Sequence, residues 1–327
     1  MKLRILLIGT GSIALRHLKN IVKLYPSLKE IYIYSNQKKR ALWFKKFTKL
    51  KYLKIITTLK VEKNFFKYLI IASNTATHSL YIKKLYDKIE NIYCEKPIGY
   101  DANFKFLEKL SKKKDTNERV KIGFQWRLNP TIKYIKEYIK KNKKKIYQID
   151  IDIGQNIKDW RKNSQFKKLN YSGKKKYTGV HWELCHELDI LNYIIGNKFT
   201  IKSNLMISNK TKINIVDNVN SLINFNDKKI ICKLSQNMLS PYLKHKIIIY
   251  SINEEVNFDL INNKYILKNK FETKKFNIKK NFKRNDMFLN SLKIFFEKNN
   301  KSSEFRLANL KDGLIVTKQI LRMEKKF

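Results

Sequence analysis

Glycine and proline are scarce in this chain, at nine and four residues in 327. Such a composition excludes a collagen-like or Gly/Pro-rich disordered polymer and leaves each glycine in need of a reason. Cysteine is scarcer still. Cys94, Cys185 and Cys232 form an odd, scattered set without a CxxC spacing, which argues against a disulfide framework and against a zinc site. Acids are few, with 27 Asp and Glu against 71 Lys and Arg, a formal net charge of +44. Long apolar runs are missing too, so no segment reads as a membrane span. Lys2, Arg4 and the run Ile5 to Ile8 imitate the start of a signal peptide, but Gly9 and Gly11 end the run early. The expectation is a cytoplasmic protein.

What is present is a globular composition, 43% hydrophobic and 30% charged, over a length that favours two domains. The basic charge has two readings. Nucleic-acid binders cluster cations on one face, whereas lysine here runs along the whole chain beside abundant Asn and Ile, as a compositional bias would place it. No nucleic-acid, metal or membrane partner is therefore expected, although the charge would help attract a phosphorylated or carboxylated substrate.

The first third alternates strand and helix patterns. Strands are predicted at Leu3 to Ile8, Glu30 to Ser35, Ile55 to Thr57, Tyr68 to Ala72, Asn91 to Cys94 and Val120 to Phe124. Helices are predicted at Ser12 to Leu24, Lys38 to Lys49, Ser79 to Asp87 and Ala102 to Lys113. That alternation implies a doubly wound, mostly parallel α/β sheet. After about residue 125 strand-like runs follow one another, at 146–153, 201–207, 221–225, 229–234 and 246–251, which suggests a mainly antiparallel α+β domain. Helices are expected at Thr131 to Lys141, His181 to Ile195, Asp286 to Lys298 and Leu307 to Met323. The domains read as 1–124 and 125–327, with the last helix able to pack back on the first.

Gly9-Thr10-Gly11-Ser12-Ile13-Ala14 follows a strand and opens a helix, the context in which GxGxxG/A cradles a dinucleotide pyrophosphate. The first glycine permits a tight turn, the second admits the phosphates, and Ala14 lets the helix pack closely on the strand. At the end of the second strand an acid would bind the ribose 2′-hydroxyl of NAD. Ser35 and Asn36 stand there instead, with Arg40 close behind, so the reading leans from NAD towards NADP.

Three further segments belong with this loop: Ser73-Asn74-Thr75-Ala76-Thr77-His78, Cys94-Glu95-Lys96-Pro97 and His186-Glu187-Leu188-Asp189. Together, in order and spacing, they resemble the glucose–fructose oxidoreductase/inositol dehydrogenase (Gfo/Idh/MocA) family along nearly the whole chain. The resemblance implies NAD(P)-dependent oxidation of a hydroxyl on a sugar, nucleotide sugar or cyclitol. It implies that Ser73, Asn74, Thr75, His78 and Glu95 line the cofactor groove. Lys96 would contact both nicotinamide and the reacting hydroxyl, and His186 would be the acid/base. Arg127, Trp160, Arg161, Tyr171, Glu183 and Asp189 become substrate-side candidates, in a pattern like that of surface-sugar biosynthesis enzymes. A homodimer or homotetramer is expected by the same analogy. Departures include Asn74 where proline is common, and Glu183 as the candidate for an acid usually one turn before the histidine.

The chemistry fits without the family. Oxidising a secondary alcohol needs a base for the hydroxyl proton and a cation for the developing alkoxide, and a histidine with a lysine supplies both. On a continuous helix His186 would face away from the stripe Leu184, Leu188, Leu191 and Ile195, with Trp182, Ile190 and Tyr193 beside it as a cleft wall. The rival from another class is a non-catalytic dinucleotide sensor or a basic nucleic-acid-binding module on the same scaffold.

Overall fold

The computed structural model describes residues 4–28, 30–48, 52–160, 176–211, 213–297 and 306–325. In chain order it contains β1 (Ile5–Ile8), α1 (Ser12–Leu24), β2 (Ile31–Tyr34), α2 (Lys38–Thr48), β3 (Leu53–Ile56), β4 (Tyr68–Ile71), α3 (His78–Leu85), β5 (Asn91–Cys94), α4 (Phe104–Ser111), α5 (Lys114–Arg119) and β6 (Val120–Ile122). Then come α6 (Pro130–Asn142), β7 (Ile146–Gly154), α7 (Ile157–Trp160), α8 (Val180–Glu183), α9 (His186–Ile194), β8 (Thr200–Met206), β9 (Asn218–Phe225), β10 (Ile230–Asn237) and β11 (Lys244–Ser251). The chain closes with β12 (Glu254–Asp259), β13 (Lys264–Asn269), β14 (Thr273–Asn277), α10 (Arg284–Glu297), β15 (Ala308–Asn309) and α11 (Leu310–Met323). Two compact units result, one of Met1–Gln125 with Asn285–Thr317, the other of Trp126–Arg284 with Lys318–Phe327.

In the first unit the strand order is β15-β6-β5-β4-β1-β2-β3, parallel except for β15. Strands β1, β4 and β5 are buried along their whole length, the reason their sequences run apolar rather than alternate. The order reverses between β1 and β4, which opens a crevice beyond their carboxyl ends where open α/β sheets bind ligands. From the carboxyl-terminal part of the chain, Tyr93 Oη meets Ser291 Oγ at 2.8 Å and Tyr68 Oη donates to the Phe296 carbonyl at 2.9 Å.

The second unit holds an eight-stranded sheet ordered β14-β13-β12-β11-β7-β10-β9-β8. All its neighbours are antiparallel except β7 and β10. One face is the core, with Ile149, Ile151, Ile247, Ile249 and Ile223 at most 1% exposed. On that side α6 starts with Asn129, whose side chain accepts from Thr131 N, and Pro130 fills its first turn.

Two sequence expectations need correction. The helix expected from His181 to Ile195 is two helices, parted at Leu184 and Cys185, where Gln236 Nε2 donates to the Leu184 carbonyl at 2.7 Å. The break rotates what precedes it, so Trp182 and Ile190, on either side of the break, are core residues at 3% and 0% exposure instead of a cleft wall. Strands β12, β13 and β14 were not anticipated.

Candidate cofactor and active site

The loop after β1 is built differently at its two glycines. Gly9 has φ +121°, and a Cβ there would lie 2.3 Å from the Ala72 carbonyl oxygen. The fold itself therefore demands glycine at this position. Gly11 has φ −86° and ψ −178°, backbone that any residue adopts, and a Cβ there would meet nothing within 4 Å. Among the described residues no protein atom explains its missing side chain. Gly11 is the N-cap of α1 and offers no side-chain cap, so the first-turn N–H groups of Ser12, Ile13 and Ala14 stand without a capping acceptor. Open space above a helix N-terminus is what a pyrophosphate requires, so the residues fit a dinucleotide. Ala14 is fully buried beneath the helix.

At the end of β2, Ser35 Oγ accepts from Gln37 N at 3.3 Å, while Asn36 and Arg40 are exposed. Beyond β4, Ser73 Oγ and Thr77 Oγ1 lie 2.8 Å apart, with Asn74 exposed and Thr75 half-buried. His78 departs from expectation. It is 1% exposed, with Nδ1 2.8 Å from the Pro97 carbonyl and Nε2 3.2 Å from that of Ser73. It thus ties the loop after β4 to the loop after β5 from behind rather than lining the groove. Burial holds its imidazole below the usual pKa, against the pull of both carbonyls. A neutral ring donates only once, and the shorter contact identifies Pro97 as the acceptor.

Lys96 follows β5 at the same sheet edge, half-buried, with a cis peptide to Pro97. Registry puts Ile8, Ile71 and Cys94 level across β1, β4 and β5, so Gly9, Ala72 and Glu95 emerge at one height. Glu95 Oε1 takes His17 Nε2 at 2.7 Å and Gln125 Nε2 at 2.8 Å, and Gln125 also reaches Tyr93 Oη at 3.1 Å. A Cβ on Gly123 would come within 3.0 Å of the Glu95 carboxylate, so that glycine makes the room. The His17 contact thereby connects α1 to the strand end that carries Lys96. The three cysteines are free and buried, and burial pushes the Cys94 thiol well up.

In the second unit His186 opens α9 and is half-buried, as is Glu183 at the end of α8. The residues after His186 are anchored in turn. Glu187 Oε2 meets His245 Nε2 at 2.9 Å with both side chains fully buried. Asp189 takes Arg127 in a two-pronged pair at 2.8 and 2.5 Å, at 1% and 3% exposure. Two substrate-side candidates are thus spent on one another, and their geometry suits holding α9 rather than touching a ligand. His181 finds Glu324, which also accepts from Trp182 Nε1, both at 2.9 Å. A partner so far along the chain leaves no local signal. Trp160 ends α7, and its side chain, with Arg161 and Tyr171, lies outside the described residues.

Residues 3–120 match the oxidoreductase family with an NAD-binding Rossmann fold, Gfo/Idh/MocA. No curated protein matches the chain in sequence. Among solved structures, a UDP-N-acetylglucosamine 3-dehydrogenase from Acidithiobacillus ferrooxidans is 13% identical with a TM-score of 0.72, over 99% of this chain and 97% of that one. An oxidoreductase from Agrobacterium radiobacter, in complex with NAD+, L-tartaric acid and magnesium, is 13% identical with a TM-score of 0.77, over 99% and 96%. A 3-ketoreductase variant from Actinomadura kijaniata, in complex with TDP-benzene and NADP, is 13% identical with a TM-score of 0.73, over 99% and 98%. At such identities the likeness shows a shared fold along the chain. The match over residues 3–120 supports the NAD(P)-dependent oxidoreductase reading over the nucleic-acid-binding rival.

Proposed function

We propose that this chain moves hydride between a nicotinamide cofactor and a secondary hydroxyl or keto group of a sugar, nucleotide sugar or cyclitol. The observation that carries the reading is the vacant space over Gly11 at the reversal point of the first sheet, beside the strand end bearing Lys96. When bound, the nicotinamide supplies or accepts the hydride. Ser12, Ile13 and Ala14 hold the pyrophosphate through their N–H groups. Lys96 stabilises charge on the reacting oxygen as an alkoxide forms. His186 takes the hydroxyl proton in oxidation and returns it in reduction. Ser35, Asn36 and Arg40, in a stretch without an acid, favour NADP over NAD. Glu183 orients the histidine, and Trp160, Arg161 and Tyr171 are the substrate-side candidates. The protein works in the cytoplasm as a homodimer or homotetramer, a state that sedimentation would read.

The decisive experiment uses Lys96→Met and His186→Ala with a nucleotide-sugar panel screened by thermal shift alongside NADPH and NADH. Cofactor binding is expected to survive in both variants while turnover falls by about 10²–10⁴-fold. Unchanged turnover with cofactor still bound would show that the two residues do not have these roles.

A further inference from the structure

Helix α2 is turned the wrong way for an ordinary surface helix. Its sequence, KKRALWFKKFT, buries Ala41 and Phe44 at 1% exposure each against the sheet. The opposite face should be polar. Instead Leu42, Trp43 and Phe47 are 50%, 59% and 55% exposed. Residues 39, 42, 43, 46 and 47 share that outward face by helical spacing, so the apolar groups form one stripe with Lys39 and Lys46 set into it. The Trp43 and Phe47 rings stack, with centroids 5.1 Å apart and planes 14° from parallel. Exposing tryptophan is costly, and the chain has only four. Single exposed apolar residues need no explanation, whereas three contiguous ones on one helix do.

The charge around the stripe selects the partner. Lys38, Lys39, Arg40, Lys45 and Lys46 lie on this helix and no acid does. Two copies meeting through α2 would bring five cations against five without a counter-charge, which opposes self-association here. A nucleic acid would match the charge, but Leu42 offers nothing to a base, and the stacked rings cover part of each other's faces. An anionic lipid surface satisfies both features at once. Cations meet the headgroups, while Trp, Phe and Leu enter the boundary of the acyl region, the composition of helices that lie in a membrane interface.

We propose that α2 is a peripheral docking element for anionic membranes, with Leu42, Trp43 and Phe47 inserted and the five flanking cations on the headgroups. Nothing in this contact is a span, and no described helix is long and apolar enough to cross a bilayer. The contact places the first unit's cofactor crevice at a membrane surface, a location suited to a substrate made or consumed there.

A protein of +44 adsorbs to any anionic vesicle, so the test must separate insertion from adsorption. Full-length protein is mixed with vesicles of phosphatidylcholine, or of phosphatidylcholine with phosphatidylglycerol, some carrying brominated chains. Bromine quenches tryptophan only at close range within the bilayer. Trp126 and Trp182 are buried at 8% and 3% exposure, and every protein in the series carries Trp160→Phe, which leaves Trp43 as the reporter. Expected are a blue-shifted emission and quenching on the anionic vesicles, both lost in Trp43→Phe while co-sedimentation persists. The double variant Leu42→Ser/Phe47→Ser should lose about tenfold or more of its vesicle binding at physiological salt, where spread charge is screened. Quenching that survives in Trp43→Phe would overturn the proposal. So would vesicle binding of the double variant equal to wild type, which leaves adsorption alone. A sedimentation coefficient that falls in the double variant without lipid would also overturn it, by marking the stripe as a contact between copies. Nicotinamide binding, read in parallel, controls for folding in every variant.

Discussion

Gly9 and Gly11 are two residues apart in one loop, yet substituting alanine at each should break different things. At Gly9 the added Cβ meets a carbonyl oxygen at 2.3 Å in a backbone of φ +121°. Positive φ costs a non-glycine residue about 1–3 kcal/mol, and forced overpacking against backbone about as much again. Gly9→Ala should thus lose roughly 2–6 kcal/mol, or roughly 5–20 °C in melting temperature for a unit of this size. At Gly11 the Cβ meets nothing. Stiffening the unfolded chain gains about 0.4–1 kcal/mol, and alanine at an N-cap loses a comparable amount, so the ligand-free melting temperature should scarcely move. The methyl group instead occupies the approach to the helix N-terminus, and cofactor affinity should fall about 10–100-fold, equivalent to about 1.4–2.8 kcal/mol. Thermal melts without cofactor, combined with NADPH fluorescence titrations, read both quantities. A Gly11→Ala protein that melts like Gly9→Ala, or that binds NADPH like wild type, would refute the assignment of the loop.

Asp189→Ala strands the buried Arg127 guanidinium and should cost about 3–5 kcal/mol in urea unfolding, whereas Arg127→Met with Asp189→Leu should recover most of it. Equal losses in the single and double variants would mean that the pair does not act as a unit. His78 carries a pH signature. Because burial lowers its folded pKa beneath the ordinary value of 6.5, the unfolded chain protonates first as pH falls. Stability is therefore full above about pH 6.5 and declines between there and the lower folded pKa, by about 1.4 kcal/mol for each unit that separates the two. His78→Asn should remove that part of the acid sensitivity, seen as a stability difference from wild type that changes between pH 7.5 and pH 5. A difference constant across that range would refute it.

The first sheet was legible because both of its faces are covered, which forces apolar runs at Ile5–Ile8, Tyr68–Ile71 and Asn91–Cys94 and leaves glycine to end the first of them. The last three strands of the second sheet were not. In β14 every residue is exposed, and β13 alternates weakly, so lysine and asparagine hide the period. The break between α8 and α9 was also invisible, since Leu184 and Cys185 are acceptable in a helix and the carbonyl freed there is taken by Gln236, 52 residues along the chain. Candidate residues on a motif, such as Lys96 and the glycine loop, stand out by their spacing. The buried partners Gln125 and His245 and the half-buried Glu324 do not, because a hydrogen bond between distant residues leaves no periodic trace.

The first unit draws on two stretches of chain, and this has a consequence for synthesis. Tyr93 and Tyr68 wait for Ser291 and Phe296, and β6 waits for Ala308 and Asn309 to cover its edge. About 160 residues separate the two stretches. At ribosomal speed that gap is roughly 10–30 s, during which a half-made dinucleotide fold stands with an open sheet edge and bare aromatic rings. For this polypeptide the nascent state is the moment of greatest exposure to chaperones and to aggregation.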